Sequence, residues 1–162
     1  MRLLQKEAKK DDADPKALSC YGLYVPELER TWLRFVDGRP VSAITTQFLE
    51  WSCQRLEAMS KKALLLVWDN ASWHKSKFVK DWIAAHNRRV KDSGNEAGVR
   101  IVPCLLPKKS PWLNPIEPKW VHGKRKVVEP DRLLGAYELA DRVYRVFGCP
   151  HFEHLSVLER VA

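Results

Sequence analysis

The sequence predicts an α/β fold, a mixed sheet flanked by helices. Apolar residues run unbroken or alternate in some short segments and recur three to four apart in others. Segments of the two kinds follow one another in the order β-β-α-β-α-β-α-α, which suits a sheet with helices on its faces. The 162 residues, 45% of them hydrophobic and with seven Trp, supply enough apolar surface for a single core.

Taken in order, the segment Lys6 to Lys16 is charged and follows no period, which predicts a tail over 1–16. Ala17–Val25 and Thr31–Val36 are short, aromatic and β-branched, separated by Pro26 and closed by Asp37-Gly38; they predict an antiparallel pair. From Ser42 to Met59, Ile44, Phe48, Leu49 or Trp51, Leu56 and Met59 recur at helical spacing with no internal Gly or Pro. Ala63–Trp68 is a continuous apolar run, which predicts a strand covered on both faces and ending at Asp69. Phe78, Val79, Trp82, Ile83 and His86 predict a helix from Lys75 to about Arg89, broken by Lys91–Gly98. Val99–Leu106 reads as the next strand, and Lys108–Pro115 as a proline-punctuated loop. A helix is expected from Ile116 to about Val127, with Pro115 at its first position, and a last one from Asp131 to Phe147.

Several classes are excluded. No window is long and apolar enough to span a membrane, and the first residues lack the apolar stretch of a secretory signal. Cys20, Cys53, Cys104 and Cys149 are too far apart for a CxxC pair, so zinc-ribbon and thioredoxin-type motifs fall away and reduced cytosolic thiols are expected. Twenty-eight Lys and Arg against twenty Asp and Glu give a net charge of +8, which favours polyanionic partners.

Two segments carry chemistry. In the first, Leu64-Leu-Leu-Val-Trp-Asp69-Asn70-Ala-Ser-Trp-His74, a carboxylate stands at the C-terminal end of a buried strand, where open α/β sheets present ligand-binding groups. In the second, Leu106-Pro-Lys-Lys-Ser110-Pro-Trp-Leu-Asn114-Pro-Ile-Glu117-Pro-Lys-Trp120, Glu117 sits in the first turn of a predicted helix behind a rigid loop. Two hard oxygen ligands on separate elements can hold Mg²⁺ with positions open for phosphate oxygens and water. Each residue alone also has a structural use. Asp after a strand forms turns, and a first-turn Glu complements the helix dipole.

Together the two segments resemble the C-terminal catalytic part of insertion-sequence transposases related to the mariner superfamily, within the DDE superfamily. Their pattern is a hydrophobic strand ending in Asp-Asn-x-x-x-His, then Leu-Pro-x-x-Ser-Pro-x-Leu-Asn-Pro-Ile-Glu-x-x-Trp. The second half matches at Leu106, Pro107, Ser110, Pro111, Leu113, Asn114, Pro115, Ile116, Glu117 and Trp120. The resemblance implies a ribonuclease-H-like fold and an acidic triad binding two divalent metals, Mg²⁺ or Mn²⁺. Asp69 would be its second acid and Glu117 its third, with Asn70, His74, Ser110 and Asn114 supporting the motifs. It also implies DNA as partner, both element ends and target, and a cytoplasmic protein associated with the nucleoid when bound to DNA.

Two departures matter. Residues 70 to 116, 47 in all, separate the acids. That is longer than usual in the superfamily, and the excess is assigned to the polar His86–Gly98 region. At the N-terminus neither a helix-turn-helix region nor a first strand carrying the first Asp is visible. Asp11, Asp12 and Asp14 lack an apolar strand around them, so the first acid is expected from elsewhere, and the sheet is expected without its first, central strand.

The resulting division is a tail over 1–16, a partial catalytic domain over 17–128 and a C-terminal helical extension over 129–162. The expected function is that of a truncated or split DNA transposase, inactive alone. Its partner would be the missing N-terminal part or another transposase subunit, and no membrane. The alternative is a non-catalytic basic module that binds DNA or docks on a transposase through an unpaired sheet edge. For DNA contact, Lys108, Lys109, Trp112, Lys119, Lys124, Arg125 and Lys126 are the candidates, with Trp112 and Trp120 either stacking on bases or filling the core. Cys149, His151 and His154 are too loosely spaced for a metal site and read as a helix-to-tail junction.

Overall fold

The computed structural model describes residues 2–4, 17–94, 96–127 and 134–157. In chain order it forms β1 (Arg2–Leu4), β2 (Ala17–Val25), β3 (Arg30–Val36), α1 (Ser42–Ala58), β4 (Ala63–Trp68), α2 (Lys77–Asp92), β5 (Arg100–Leu105), α3 (Glu117–Val127) and α4 (Ala136–Phe147). The fold is mixed α/β with two small sheets. Two compact units emerge, one over Met1–Arg39 and Pro115–Ala162, the other over Pro40–Asn114. Among the described residues no helix is long and apolar enough to cross a membrane, and all four cysteines are free thiols, with Cys20, Cys53 and Cys149 buried.

The first unit is built on an antiparallel sheet in the order β1-β2-β3. The segment expected as a tail thus contains a strand, with Arg2 opposite Ser19 and Leu4 opposite Ala17; three residues are too few to show a period. Strands β2 and β3 pair from Ser19↔Val36 to Val25↔Arg30. Their connection is one 3-10 turn, Pro26–Leu28, closed by Glu29 in the left-handed region at φ 51°. Alternation puts Leu18 and Cys20 from β2, and Leu33 and Phe35 from β3, into one core with Ile116, Trp120, Leu139, Val143 and Tyr144.

The last helix is therefore no appended extension, because α4 fills this core: Tyr144 meets Phe35 edge to face at 5.2 Å. It stops at Gly148, whose φ of 58° lets the Gly148 and Cys149 amides turn back to the carbonyls of Arg145 and Tyr144. Asp131, where this helix was expected to start, lies outside the described residues. The chain then returns along β3, Leu155 N–H donating to Phe35 O (2.7 Å) and Asp37 N–H to Leu155 O (2.8 Å).

The second unit is a β-α-β crossover with α1 added. Strands β4 and β5 are parallel, from Ala63↔Arg100 to Trp68↔Leu105, and α2 makes the connection. Helix α1 buries Ile44, Phe48, Leu49, Ser52, Cys53 and Leu56, a stripe at helical spacing. The expectation that β4 is covered on both faces is corrected. Leu64, Leu66 and Trp68 are buried, but Leu65 is 66% exposed and Val67 and Val102 also face solvent. An unbroken apolar run does not report which face is covered, and Phe78, expected on the buried stripe of α2, is exposed as well.

Helix α2 begins at Ser76, whose Oγ accepts from Val79 N–H at 3.2 Å. It runs through to Asp92, so the region assigned to an insertion, His86–Gly98, is helical for its first half. That half is structural. Asn87 presents its amide to the outer edge of β5, donating to Ile101 O and accepting from Ile101 N–H, both at 2.8 Å. His86 Nε2 bonds Val99 O at 2.7 Å. These side chains take the place of another strand along this edge. The alternation also explains Pro103 within β5: like Ile101, two residues before it, its backbone nitrogen faces the outer edge, where no ladder bond is lost.

Candidate metal and nucleic-acid site

Asp69 follows β4 directly. Leu106 N–H donates to Trp68 O at 2.9 Å, so the parallel ladder reaches the first residue of the second motif. The next residue strengthens this junction, Asn70 Nδ2 donating to Leu106 O. Sequence matching treats the two motifs as separate strings, yet Asn70 joins them.

The Asp69 carboxylate is held at one oxygen. Oδ1 accepts from Ala71 N–H at 3.0 Å, an Asx turn, and from His74 Nδ1 at 2.8 Å. The backbone turns through Ala71, whose carbonyl accepts from His74 N–H (3.0 Å) and Lys75 N–H (3.3 Å), which brings the imidazole back over the carboxylate. His74 lies flat on the Trp68 ring, centroids 4.9 Å apart and planes 10° from parallel, and meets Trp73 edge-on at 6.0 Å. Trp68 is a site residue that the motif does not contain; its signal was only an aromatic at the end of an apolar run.

The hydrogen bond from His74 is the main cause that lowers the Asp69 pKa below its ordinary 3.8, against the opposing effect of partial burial. The carboxylate is thus ionised throughout the neutral range. A lowered value stabilises the fold above the unfolded-state pKa, and that contribution is lost as pH falls through the folded one. In a carbon-13 titration, the Asp69 carboxyl is expected to show its midpoint below 3.8. In His74→Ala the midpoint should rise, and an unchanged midpoint contradicts this assignment of cause.

The second motif continues within the same unit as far as Asn114. Lys108 and Lys109 form a turn, with Lys109 at φ 58°, and Pro111–Leu113 make a 3-10 turn that carries Trp112 outward, 74% exposed. Ser110 and Asn114 bracket that turn and are half-buried; the Ser110 carbonyl accepts from Leu113 N–H (3.2 Å), and Asn114 N–H donates to Pro111 O (2.9 Å). Trp112 is therefore a solvent-facing aromatic, whereas Trp120 is 6% exposed and belongs to the core of the first unit.

Glu117 belongs to that first unit, half-buried, and opens α3. Pro115 is not the first helical position as expected; the proline of the first turn is Pro118. The helix is seated by Trp120 and Ile116 against Gly22 of β2, where a Cβ would overlap the Trp120 indole. Gly22 is a supporting residue that the motifs do not show; a glycine inside a strand was its only signal. Lys119, Lys124, Arg125 and Lys126 are exposed on α3, Lys119 standing over the Tyr24 ring at 5.0 Å.

Asp69 by itself is a donor of the kind a hard divalent cation takes. The bonds from Ala71 and His74 both fall on Asp69 Oδ1, the side chain is 59% exposed, and it is an ionised oxygen donor. Asp69 lies in the second unit and Glu117 in the first. Among the described residues no three His, Cys, Asp or Glu side chains form a metal-binding group. The C-terminal histidines have separate partners: His151 pairs with Asp141 at 3.2 Å and His154 with Asp37 at 2.7 Å. Asp11, Asp12 and Asp14 lie outside the described residues.

In comparison with known proteins, the family model described as DDE superfamily endonuclease matches residues 9–136, a span that holds both motifs. No curated protein and no solved structure matches.

Proposed function

The chain belongs to the DDE superfamily of endonucleases, and from that premise we propose that it is the metal-binding, DNA-processing part of an insertion-sequence transposase related to the mariner superfamily. The observation that carries this reading is the junction at the end of β4, where an ionised Asp69 is fixed beside the Leu106 start of the second motif by Asn70 and His74. In this reading Asp69 and Glu117 hold Mg²⁺ or Mn²⁺ as the second and third acids of the triad. The element order, with three antiparallel strands, a helix and then a parallel crossover, supports a ribonuclease-H-like arrangement.

The bound metals supply charge neutralisation at the scissile phosphate and activation of the attacking hydroxyl. The chain's own residues do the rest. Asp69 and Glu117 provide anionic oxygen, Asn70 fixes the loop between the motifs, and Trp112 offers a stacking face to a base while Lys108 and Lys109 beside it neutralise phosphates. Lys119, Lys124, Arg125 and Lys126 give α3 a basic face of its own, Lys124–Lys126 also complementing the C-terminus of that helix.

Phosphate contacts dominate such binding, so the purified chain is expected to bind duplex DNA with weak sequence preference and a steep fall in affinity with salt. Changing Lys124, Arg125 and Lys126 to Ala should weaken all sequences alike and flatten the log–log slope by about 0.9 for each phosphate that is no longer neutralised. Fluorescence anisotropy across a salt series measures both. Affinity indifferent to salt contradicts the DNA reading.

A further inference from the structure

We propose that His74 is the positioning residue of the metal-binding carboxylate: by donating from Nδ1 to Asp69 Oδ1 it holds the side chain in one orientation and leaves Oδ2 for a divalent cation. This inference rests on the assignment of Asp69 as a metal ligand. An exposed Asp otherwise samples several rotamers and must give them up when it ligates; a carboxylate already anchored at one oxygen gives up less. Partners of this kind, behind a metal ligand, tune affinity by fixing the ligand's orientation.

The surroundings of His74 set it apart from an ordinary surface ion pair, which contributes little and leaves both groups in water. The imidazole side chain is only 17% exposed although its partner is 59% exposed. It is stacked on Trp68 at 4.9 Å and flanked by Trp73 at 6.0 Å, so its ring plane is fixed by packing before it bonds the carboxylate. The Ala71 amide alone would make the Asx turn found beside many Asp residues. The contribution of His74 is a second bond, from five residues on, to the same oxygen. In this arrangement Nδ1 carries a proton.

The test is Mn²⁺ binding to the full chain, with unbound Mn²⁺ counted by electron paramagnetic resonance and folding checked by thermal unfolding. His74→Ala is expected to weaken Mn²⁺ about tenfold. His74→Asn, whose Nδ2 stands in for Nδ1, should stay near the wild type, and His74→Gln, with its amide one carbon farther out, should behave like Ala. Imidazole ¹⁵N shifts should place the His74 proton on Nδ1. If His74→Ala binds Mn²⁺ as the wild type does while Asp69→Ala loses it, the positioning role is overturned and the metal assignment stands. If Asp69→Ala has no effect, or the wild type binds no Mn²⁺, the metal assignment falls and this inference with it. Should His74→Ala fail to fold, Asn and Gln variants of equal affinity overturn the proposal.

Discussion

Asp69→Ala and Glu117→Ala are each expected to remove Mg²⁺-dependent strand cleavage, by about 10³-fold or more, once the chain is supplied with a segment carrying the first acid of the triad. Metal catalysis of phosphodiester displacement is worth several kcal/mol of transition-state stabilisation, and about 1.4 kcal/mol is a factor of ten in rate. Each substitution takes away a proposed ligand oxygen and no core packing, since Asp69 is exposed and Glu117 half-buried. Glu117→Ala should therefore unfold at nearly the wild-type temperature, and Asp69→Ala somewhat below it, because it also loses the bonds from Ala71 and His74. Cleavage by the chain alone, abolished by Asp69→Ala, would show that an acid within these residues, foremost Asp11, Asp12 or Asp14, completes the site. Cleavage indifferent to both substitutions would favour a DNA-binding module without its own chemistry.

The largest stability loss is expected at Trp120. It is 6% exposed, packs on Gly22 and stands 5.3 Å from the Phe147 ring, so truncation opens a cavity between β2, α3 and α4. Trp120→Ala should cost about 3–5 kcal/mol in urea unfolding, the range for burying and then deleting a large aromatic. Gly22→Ala should cost about 1–3 kcal/mol by forcing the indole off its seat. Because the same indole anchors the turn that begins at Glu117, Gly22→Ala should also weaken Mn²⁺ binding. Trp112, of the same residue type and eight positions earlier, is expected to behave in the opposite way. At 74% exposure its truncation should leave stability within about 0.5 kcal/mol, while costing about 1–3 kcal/mol of DNA affinity if one base stacks on it. A Trp120→Ala variant as stable as the wild type would contradict the packing described.

Much of this was legible in the residues. The bounds of β2 and β4 follow from runs of apolar and β-branched residues, because those signals are local, and the last helix ends at Phe147 as expected. What was not legible depends on distant partners. The bonds that hold α2 along the edge of β5, from His86 to Val99 and from Asn87 to Ile101, join residues twelve or more positions apart, and no periodicity encodes them. The open face of Leu65 and Val67 was hidden because apolar residues occupy it whether or not anything covers it. The boundary between the two units falls between Asn114 and Pro115, inside a motif that reads as one string. In the site, Asp69 and Glu117 were visible through their motifs, and His74 only as a spacing. Its bond to Asp69, its seat on Trp68, and the role of Gly22 beneath Trp120 required coordinates.

The proposed function has Asp69 and Glu117 hold the same metal. Iron-directed cleavage of the polypeptide tests it most directly: Fe²⁺ replaces Mg²⁺, ascorbate and peroxide generate hydroxyl radicals at the bound ion, and the backbone is cut beside its ligands. Two groups of cuts are predicted, one around Asp69 and one around Glu117, both suppressed by excess Mg²⁺ and both lost in Asp69→Ala. Cuts beside only one of the two acids, or cuts at Glu117 that persist in Asp69→Ala, would contradict it.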